Sequence, residues 1–299
     1  MNKLIETLES PLAVVCHDVG AANLIVEWLK DCHIDMKVCM EGPARKLWKR
    51  NFPNYELYPI ESVMDDAVTL LSGTGWGSFE FIARTQAKRR NIKNIAVIDH
   101  WSNYRERFVI DGHEELPDVI IVADNYAYKQ VKSLFPSILV IQLPNNYLQQ
   151  EAKKAYSARQ RECREPFENI LIIAEPVREE ISGINNYIEF DSIDFLMNNL
   201  KKINVSENCI NFNLRLHPSE PIDKYDFLQK KYNDLNIQFN ISKNNELFED
   251  IAWADLVVGM NSFALIIALT AEVPVMSILP PESAECILPY GEIVHLREQ

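Results

Sequence analysis

Several things are scarce in this 299-residue chain, and each scarcity removes a class of function. Positive charge is short: 30 Lys and Arg stand against 43 Asp and Glu, a formal net charge of −13. A non-specific nucleic-acid or anionic-membrane binder needs a basic surface, so neither class fits. No apolar run approaches the roughly 18 residues of a membrane span. The run Leu12 to Cys16 is too short for a signal-peptide core. The six cysteines are scattered with no Cys-x-x-Cys pair, so buried free thiols in a reducing compartment are expected and a zinc site is not. Only nine glycines are present, and none lies in a Walker loop or a dinucleotide fingerprint. There is no Gly-x-Ser-x-Gly elbow for a serine hydrolase. Asp65-Asp66 lacks the Asp-x-Asp spacing of metal-dependent transferases. A cytoplasmic protein with no cofactor and no metal site is expected, and peripheral contact with a membrane-linked acceptor stays open.

What the chain has is alternation. Short apolar runs of strand type recur at Leu12–Cys16, Asp35–Met40, Ala67–Leu71, Asn94–Ile98, Asp118–Val122 and Ile138–Leu143, with Tyr55–Tyr58 as a weaker candidate. Stretches of helical spacing separate them. One begins at Pro43, as proline in a first turn allows, and others cover Phe79–Arg90 and Asn125–Leu134. Gln149 to Glu165 is polar and charged. The alternation then resumes with strands at Asn169–Ala174, Cys209–Leu216 and Asn236–Ile241, and helices at Ile184–Lys202, Asp223–Lys231 and Asn245–Trp253. The pattern predicts α/β architecture: two doubly wound parallel-sheet domains with helices on both faces and a cleft between them. The predicted domains are residues 1–150 and 166–299, joined by a linker at 151–165.

The last part of that pattern organises the rest. Leu256 to Gly259 reads as a buried strand, Asn261 or Ser262 as an N-cap, the apolar stretch behind it as a buried helix, and Val273-Pro274-Val275 as the next strand. A helix start of this kind directs several N–H groups and the positive end of a dipole at one spot, which suits a phosphate. Ligands of open parallel sheets bind beyond the carboxyl ends of the strands. In the second half the residues so placed are Glu175, Arg215, His217, Pro218, Gly259, Asn261 and Ser262. Arg215 and His217 are two apart, so they project from one face. His217 either caps a loop or joins Arg215 and Ser262 in an anion site.

The first half offers three loops at strand ends. His17-Asp18 follows the first strand, Ser72 to Ser78 the third, and Asp99 to Phe108 the fourth. Asp18 is either the N-cap of the first helix or a general base, and Asp99 either a structural hydrogen-bonding residue or a base, with His17 and His100 as alternatives. Gly73, Thr74 and Gly75 allow backbone to approach a ligand closely. Arg105 and Arg107 either bind an anionic sugar or acceptor, or pair with Glu106 and Asp111.

The combination of two Rossmann-like halves, Arg215-x-His217-Pro218, then Gly259-x-Asn261-Ser262 before an apolar helix and Val273-Pro274-Val275, resembles glycosyltransferases of the GT-B type. More narrowly it is similar to the bacterial sialyltransferase and polysialyltransferase group, whose His-Pro and serine motifs grip a CMP-sugar. The resemblance covers most of the chain as architecture and only these short motifs as sequence. It implies a metal-independent transferase moving a sugar from a nucleotide donor to a surface-polysaccharide acceptor. His217 and Ser262 would contact the donor phosphate with Arg215 beside them. The first domain would supply the base (Asp99, Asp18 or His17) and acceptor contacts at Gly73, Thr74, Gly75, His100 and Arg105. The sequence departs from retaining GT-B enzymes and hydrolysing UDP-sugar epimerases, which usually carry Glu-Ala where Ile267-Ala268 stands here. An epimerase or hydrolase on the same fold, and a non-catalytic sugar-nucleotide or glycan binder within a biosynthetic complex, are the alternatives.

Overall fold

The computed structural model describes residues 7–160, 162–163, 165–176, 189–217, 220–221, 223–232, 236–244 and 246–299. The chain divides into two compact units, Met1–Tyr147 and Leu148–Gln299.

In unit 1, strands β1 (Leu12–Cys16), β2 (Met36–Met40), β3 (Thr69–Ser72), β4 (Lys93–Ile98), β7 (Val119–Val122) and β8 (Leu139–Gln142) form one parallel sheet in the order β2-β1-β3-β4-β7-β8. The strands are short apolar runs buried on both faces, as parallel sheets require. Val14 packs with helices α1 (Val19–Leu29) and α2 (Gly42–Asn51) through Ile25, Leu29 and Trp48. Ala13 and Val15 face the other way, toward Ala83 and Ala87 of α3 (Ser78–Arg89). Trp48 is fully buried and stacks on Phe52 at 4.3 Å. Such a side chain contributes about 1.5–3 kcal/mol from burial alone. Helix α4 (Asn125–Leu134) completes the helices of unit 1, and α5 (Asn146–Ala158) begins at its end and belongs mostly to unit 2. Asp124 caps α4 by accepting from the Ala127 N–H at 2.8 Å.

One sequence expectation in unit 1 needs correction, and one element is additional to it. Tyr55–Tyr58 adds no strand to the sheet: Leu57 makes a single isolated bridge to Val38. A small antiparallel hairpin, β5 (Val109–Ile110) and β6 (His113–Glu114), was not anticipated, because two-residue strands leave no periodic signal.

In unit 2, strands β9 (Asn169–Ile173), β10 (Ile210–Arg215), β11 (Ile237–Ile241), β12 (Leu256–Gly259), β13 (Val275–Ser277) and β14 (Val294–His295) form a second parallel sheet in the order β11-β10-β9-β12-β13-β14. Helices α6 (Glu189–Asn198), α7 (Asp226–Tyr232), α8 (Leu247–Trp253) and α9 (Phe263–Thr270) accompany it. One face packs Ile170, Ile172, Phe212, Leu214 and Val258 against Ile193, Leu196 and Leu228. Helix α9 has Ala264 to Ala268 buried in succession, as its all-round apolar sequence requires. The edge strand β14 escaped sequence reading for the same reason as the hairpin. Part of the helix expected over residues 184–202 lies outside the described residues. Its described part ends at Asn198 and is followed by a 3-10 turn at Leu200–Lys202.

Candidate functional site

Strand order decides which loops meet. In unit 1, β2 and β3 lie on opposite sides of β1, so the order reverses between β1 and β3. That reversal separates the helices following the two strands and opens a crevice at their carboxyl ends. The loops there are His17-Asp18 and Gly73 to Gly77. The Gly73 N–H donates to Val15 O at 3.0 Å, which aligns the two loop starts.

Asp18 occupies the N-cap position of α1, with extended backbone, but its side chain makes no cap bond. Instead Oδ1 lies 2.7 Å from His17 Nδ1, and Oδ2 accepts from the Trp76 N–H at 3.4 Å. Both side chains of the pair are about 40% exposed. A Cβ added at Gly75 would lie 2.8 Å from Asp18 Oδ2, so the loop reaches the carboxylate only because Gly75 has none. With Nδ1–H donating to the carboxylate, the imidazole is held in the tautomer whose Nε2 accepts a proton.

Asp99 has a different setting. Its Oδ1 accepts from Arg107 Nη1 at 3.2 Å, with side chains 19% and 6% exposed. Arg107 also donates to Thr74 O at 3.1 Å and, through Nε, to Ser102 O at 3.2 Å. Asp99 Oδ2 packs onto the first turn of α1 so closely that a Cβ at Gly20 would fall 1.8 Å from it. Thr74 is buried and donates its hydroxyl to Val97 O at 2.9 Å. His100 Nδ1 lies 3.4 Å from Ser102 Oγ. Arg105 pairs with Glu114 at 2.6 Å, on the β5–β6 hairpin. The acidic partners of Arg105 and Arg107 are Glu114 and Asp99, where one of the two sequence readings had Glu106 and Asp111.

Beneath this crevice lies a group that sequence reading missed. Glu80, on the third residue of α3, is fully buried, and its Oε1 accepts from the His17 N–H at 2.8 Å. Its Oε2 meets no hydrogen-bond partner among the described residues. Burial pushes its pKa up, opposed by the His17 and its own backbone N–H groups, with the Asp18 charge adding to the rise. Arg84, one turn along, donates to Gly73 O and Arg107 O, each at 3.1 Å. Burial lowers its guanidinium to about 10. A glutamate at this spacing on a helix normally reads as solvent-facing, so no local signal marked it.

In unit 2 the order reverses between β9 and β12, which brings Glu175 to the start of α9. Glu175 Oε2 accepts from the Asn261 N–H at 2.9 Å. Burial raises the pKa of this carboxyl and the Asn261 bond lowers it in part. The Asn261 side chain accepts from the Ile287 N–H at 2.9 Å. Ser262 is the N-cap, its Oγ 3.3 Å from the Ala264 N–H. Gly259 ends β12, and its carbonyl accepts from the Ile278 N–H at 2.9 Å. The protein's own carboxyl thus lies beside the N–H groups that the sequence assigns to a phosphate.

Arg215 is engaged elsewhere. Its Nη1 donates to Asp250 Oδ2 at 2.6 Å and to Asn244 O at 3.3 Å. Asp250 is fully buried and also accepts from Ser242 and Asn244 side chains at 2.6 and 2.7 Å. β9 lies between β10 and β12, so the ends of Arg215's strand and Gly259's strand are separated by about 10 Å, two strand spacings. The His217 N–H donates to Glu220 Oε2 at 3.3 Å, and Pro218 lies outside the described residues. Among the described residues no group of three or more His, Cys, Asp or Glu is placed to hold a metal ion. Nor is any helix among them long and apolar enough to cross a membrane.

Two Rossmann-like parallel-sheet units in one chain, each with polar loops gathered where its strand order reverses, define the GT-B architecture. The chain is similar in fold to UDP-GlcNAc 2-epimerase from Neisseria meningitidis bound to UDP-GlcNAc. The TM-score is 0.56 at 14% identity, covering 91% of this chain and 83% of that one. It is similar also to a putative UDP-N-acetylglucosamine 2-epimerase from Listeria monocytogenes, with TM-score 0.56, 10% identity and coverage of 90% and 79%. At these identities the likeness is one of fold. Neither protein is a sialyltransferase. No protein-family model matches the sequence, and no curated protein matches it.

Proposed function

We propose that this chain is a metal-independent glycosyltransferase that moves a sugar from a nucleotide donor, CMP-linked or similar, to a surface-polysaccharide hydroxyl. The observation that carries the reading is the His17–Asp18 pair at the unit 1 reversal, 2.7 Å apart and partly exposed. The acceptor O–H proton passes to His17 Nε2 while the oxygen bonds to the anomeric carbon. The bond from that carbon to the nucleotide phosphate breaks, and its electron pair leaves with the phosphate. Asp18 accepts the Nδ1–H and stabilises the imidazolium that forms. Within unit 2, the N–H groups at the Ser262 cap and the start of α9 are of the kind that suit a phosphate charge, and His217 is a separate candidate for it. Asp99, ion-paired to Arg107 against α1, holds the crevice wall. Support for the nucleotide-sugar class comes from the fold shared with a structure bound to UDP-GlcNAc. Support for a route without metal comes from the missing Asp-x-Asp spacing in the sequence.

Calorimetric titration with CMP, CDP and UDP tests the donor half. Binding of at least one is expected, and a folded sample that binds none overturns the proposal. An epimerase or hydrolase is the second reading, favoured by the epimerase folds and opposed by Ile267-Ala268 in place of Glu-Ala. Product analysis with donor alone separates the two: turnover without acceptor favours the second.

A further inference from the structure

The loop between β3 and α3 carries one large aromatic that no role above uses. Trp76 is 49% exposed. Of the other tryptophans, Trp28, Trp48 and Trp101 are buried and Trp253 is half-buried. An indole left half in water keeps part of its π face open to a ligand.

Its setting is built. The Arg107 guanidinium lies over one face of the indole, 5.6 Å from the ring centroid. That guanidinium is itself fixed by Asp99, Thr74 and Ser102. The Trp76 backbone N–H points to Asp18 Oδ2. One ring face is therefore pinned by a buried cation, and the loop holding it is tied to the carboxylate that orients His17. The exposed remainder of the ring stands at the same crevice.

From these contacts we infer that Trp76 is a stacking platform for the apolar face of a pyranose ring, and specifically for the acceptor sugar. The inference rests on the transferase reading of the same crevice. A pyranose turns several axial C–H bonds to one side, and these carry slight positive charge that suits the negative π face of an indole. The cation on the opposite face is attracted by the same quadrupole and keeps the ring in place. The ring thus supplies orientation for an acceptor hydroxyl near His17 without forming a polar bond.

The test uses the full chain, saturation-transfer NMR and acrylamide quenching of tryptophan fluorescence. The probes are the methyl glycosides of galactose, glucose and N-acetylglucosamine, with cytidine and uridine as competitors for the same platform. Two variants separate stacking from mere packing: Trp76→Leu keeps an apolar cover on Arg107 but removes the ring, and Trp76→Phe keeps a ring. Wild type should show transfer to ring C–H protons on one face of at least one pyranoside, and that pyranoside should protect the exposed tryptophan from acrylamide. Trp76→Leu should weaken binding about tenfold, and Trp76→Phe should retain most of it. Equal transfer in wild type and Trp76→Leu overturns the inference. So does transfer from no pyranoside, or Trp76-dependent transfer from the nucleosides alone. Calorimetry with CMP, CDP and UDP on the same samples reads the transferase proposal separately. Nucleotide binding without pyranoside stacking would sink this inference and leave that proposal standing.

Discussion

Arg215 and Asp250 form a partly buried ion pair at 2.6 Å, side chains 21% and 0% exposed, that ties the end of β10 to α8. Asp250 takes three further side-chain donors, from Asn213, Ser242 and Asn244. Removing the arginine leaves that carboxylate without its cation inside the fold. Arg215→Ala should therefore cost about 3 kcal/mol of stability, read as a lowered urea midpoint. Its nucleotide affinity, measured where the variant is folded, should change little. His217→Ala should show the reverse: an unchanged midpoint and about tenfold weaker nucleotide binding, the cost of one hydrogen bond to a charged group. A large affinity loss in Arg215→Ala at full stability would return the arginine to the phosphate site.

The two carboxylates proposed for different duties should separate in kinetics. Asp18→Asn disturbs the tautomer of His17 and should lower kcat about 100-fold or more, with the urea midpoint held. Asp99→Asn breaks the pairing of a buried arginine and should act first on stability. If Asp99→Asn alone abolishes turnover in a fully stable protein, the base is Asp99.

Gly20 and Asp99 should be energetically coupled. A methyl at Gly20 would need the space now filled by Asp99 Oδ2, 1.8 Å away. Gly20→Ala should thus displace the carboxylate from Arg107 and cost about 2–3 kcal/mol. The cost should shrink by at least about 1 kcal/mol when Asp99 is already alanine. Additive effects in the double-mutant cycle would show that the two do not share that space.

Glu80 and Glu175 set a pH dependence. Burial raises the pKa of both above the ordinary carboxylate value of 4.5. The folded state therefore holds protons that the unfolded chain has released. This contribution to stability is fully present below pH 4.5 and is lost as pH rises through the folded-state pKa. Glu80→Gln and Glu175→Gln remove one such titration each. Relative to wild type, each variant should gain stability as pH is raised from 4.5 toward 8, measured by urea midpoints across that range. A difference that is flat with pH would mean the carboxyl titrates alike in both states.

The order of the major elements was readable because it depends on local pattern. Runs such as Leu12–Cys16 and Leu256–Gly259 are apolar on both faces, and the helices between them carry a period near 3.6, so both units follow from near neighbours in sequence. Ser262 as a cap and the burial of α9 were readable for the same reason. The candidate loops were readable by one further rule, that strand ends in parallel sheets carry ligands.

What each loop residue touches was not legible. Arg215 and Asp250 are 35 positions apart, Asp99 and Gly20 79, and His17 and Glu80 63. Their meetings depend on which strands become neighbours, and that is set by how each crossover packs its helix on the sheet. Local pattern is enough to set two α/β units and a short set of polar loop residues. The packing of the sheets is what pairs Arg215 with Asp250, Asp99 with Arg107, and His17 with Asp18 beside an exposed Trp76. Hydrophobic period is a property of adjacent residues, whereas a polar side chain's partner is whatever donor or acceptor the packed sheet leaves within 3 Å of it.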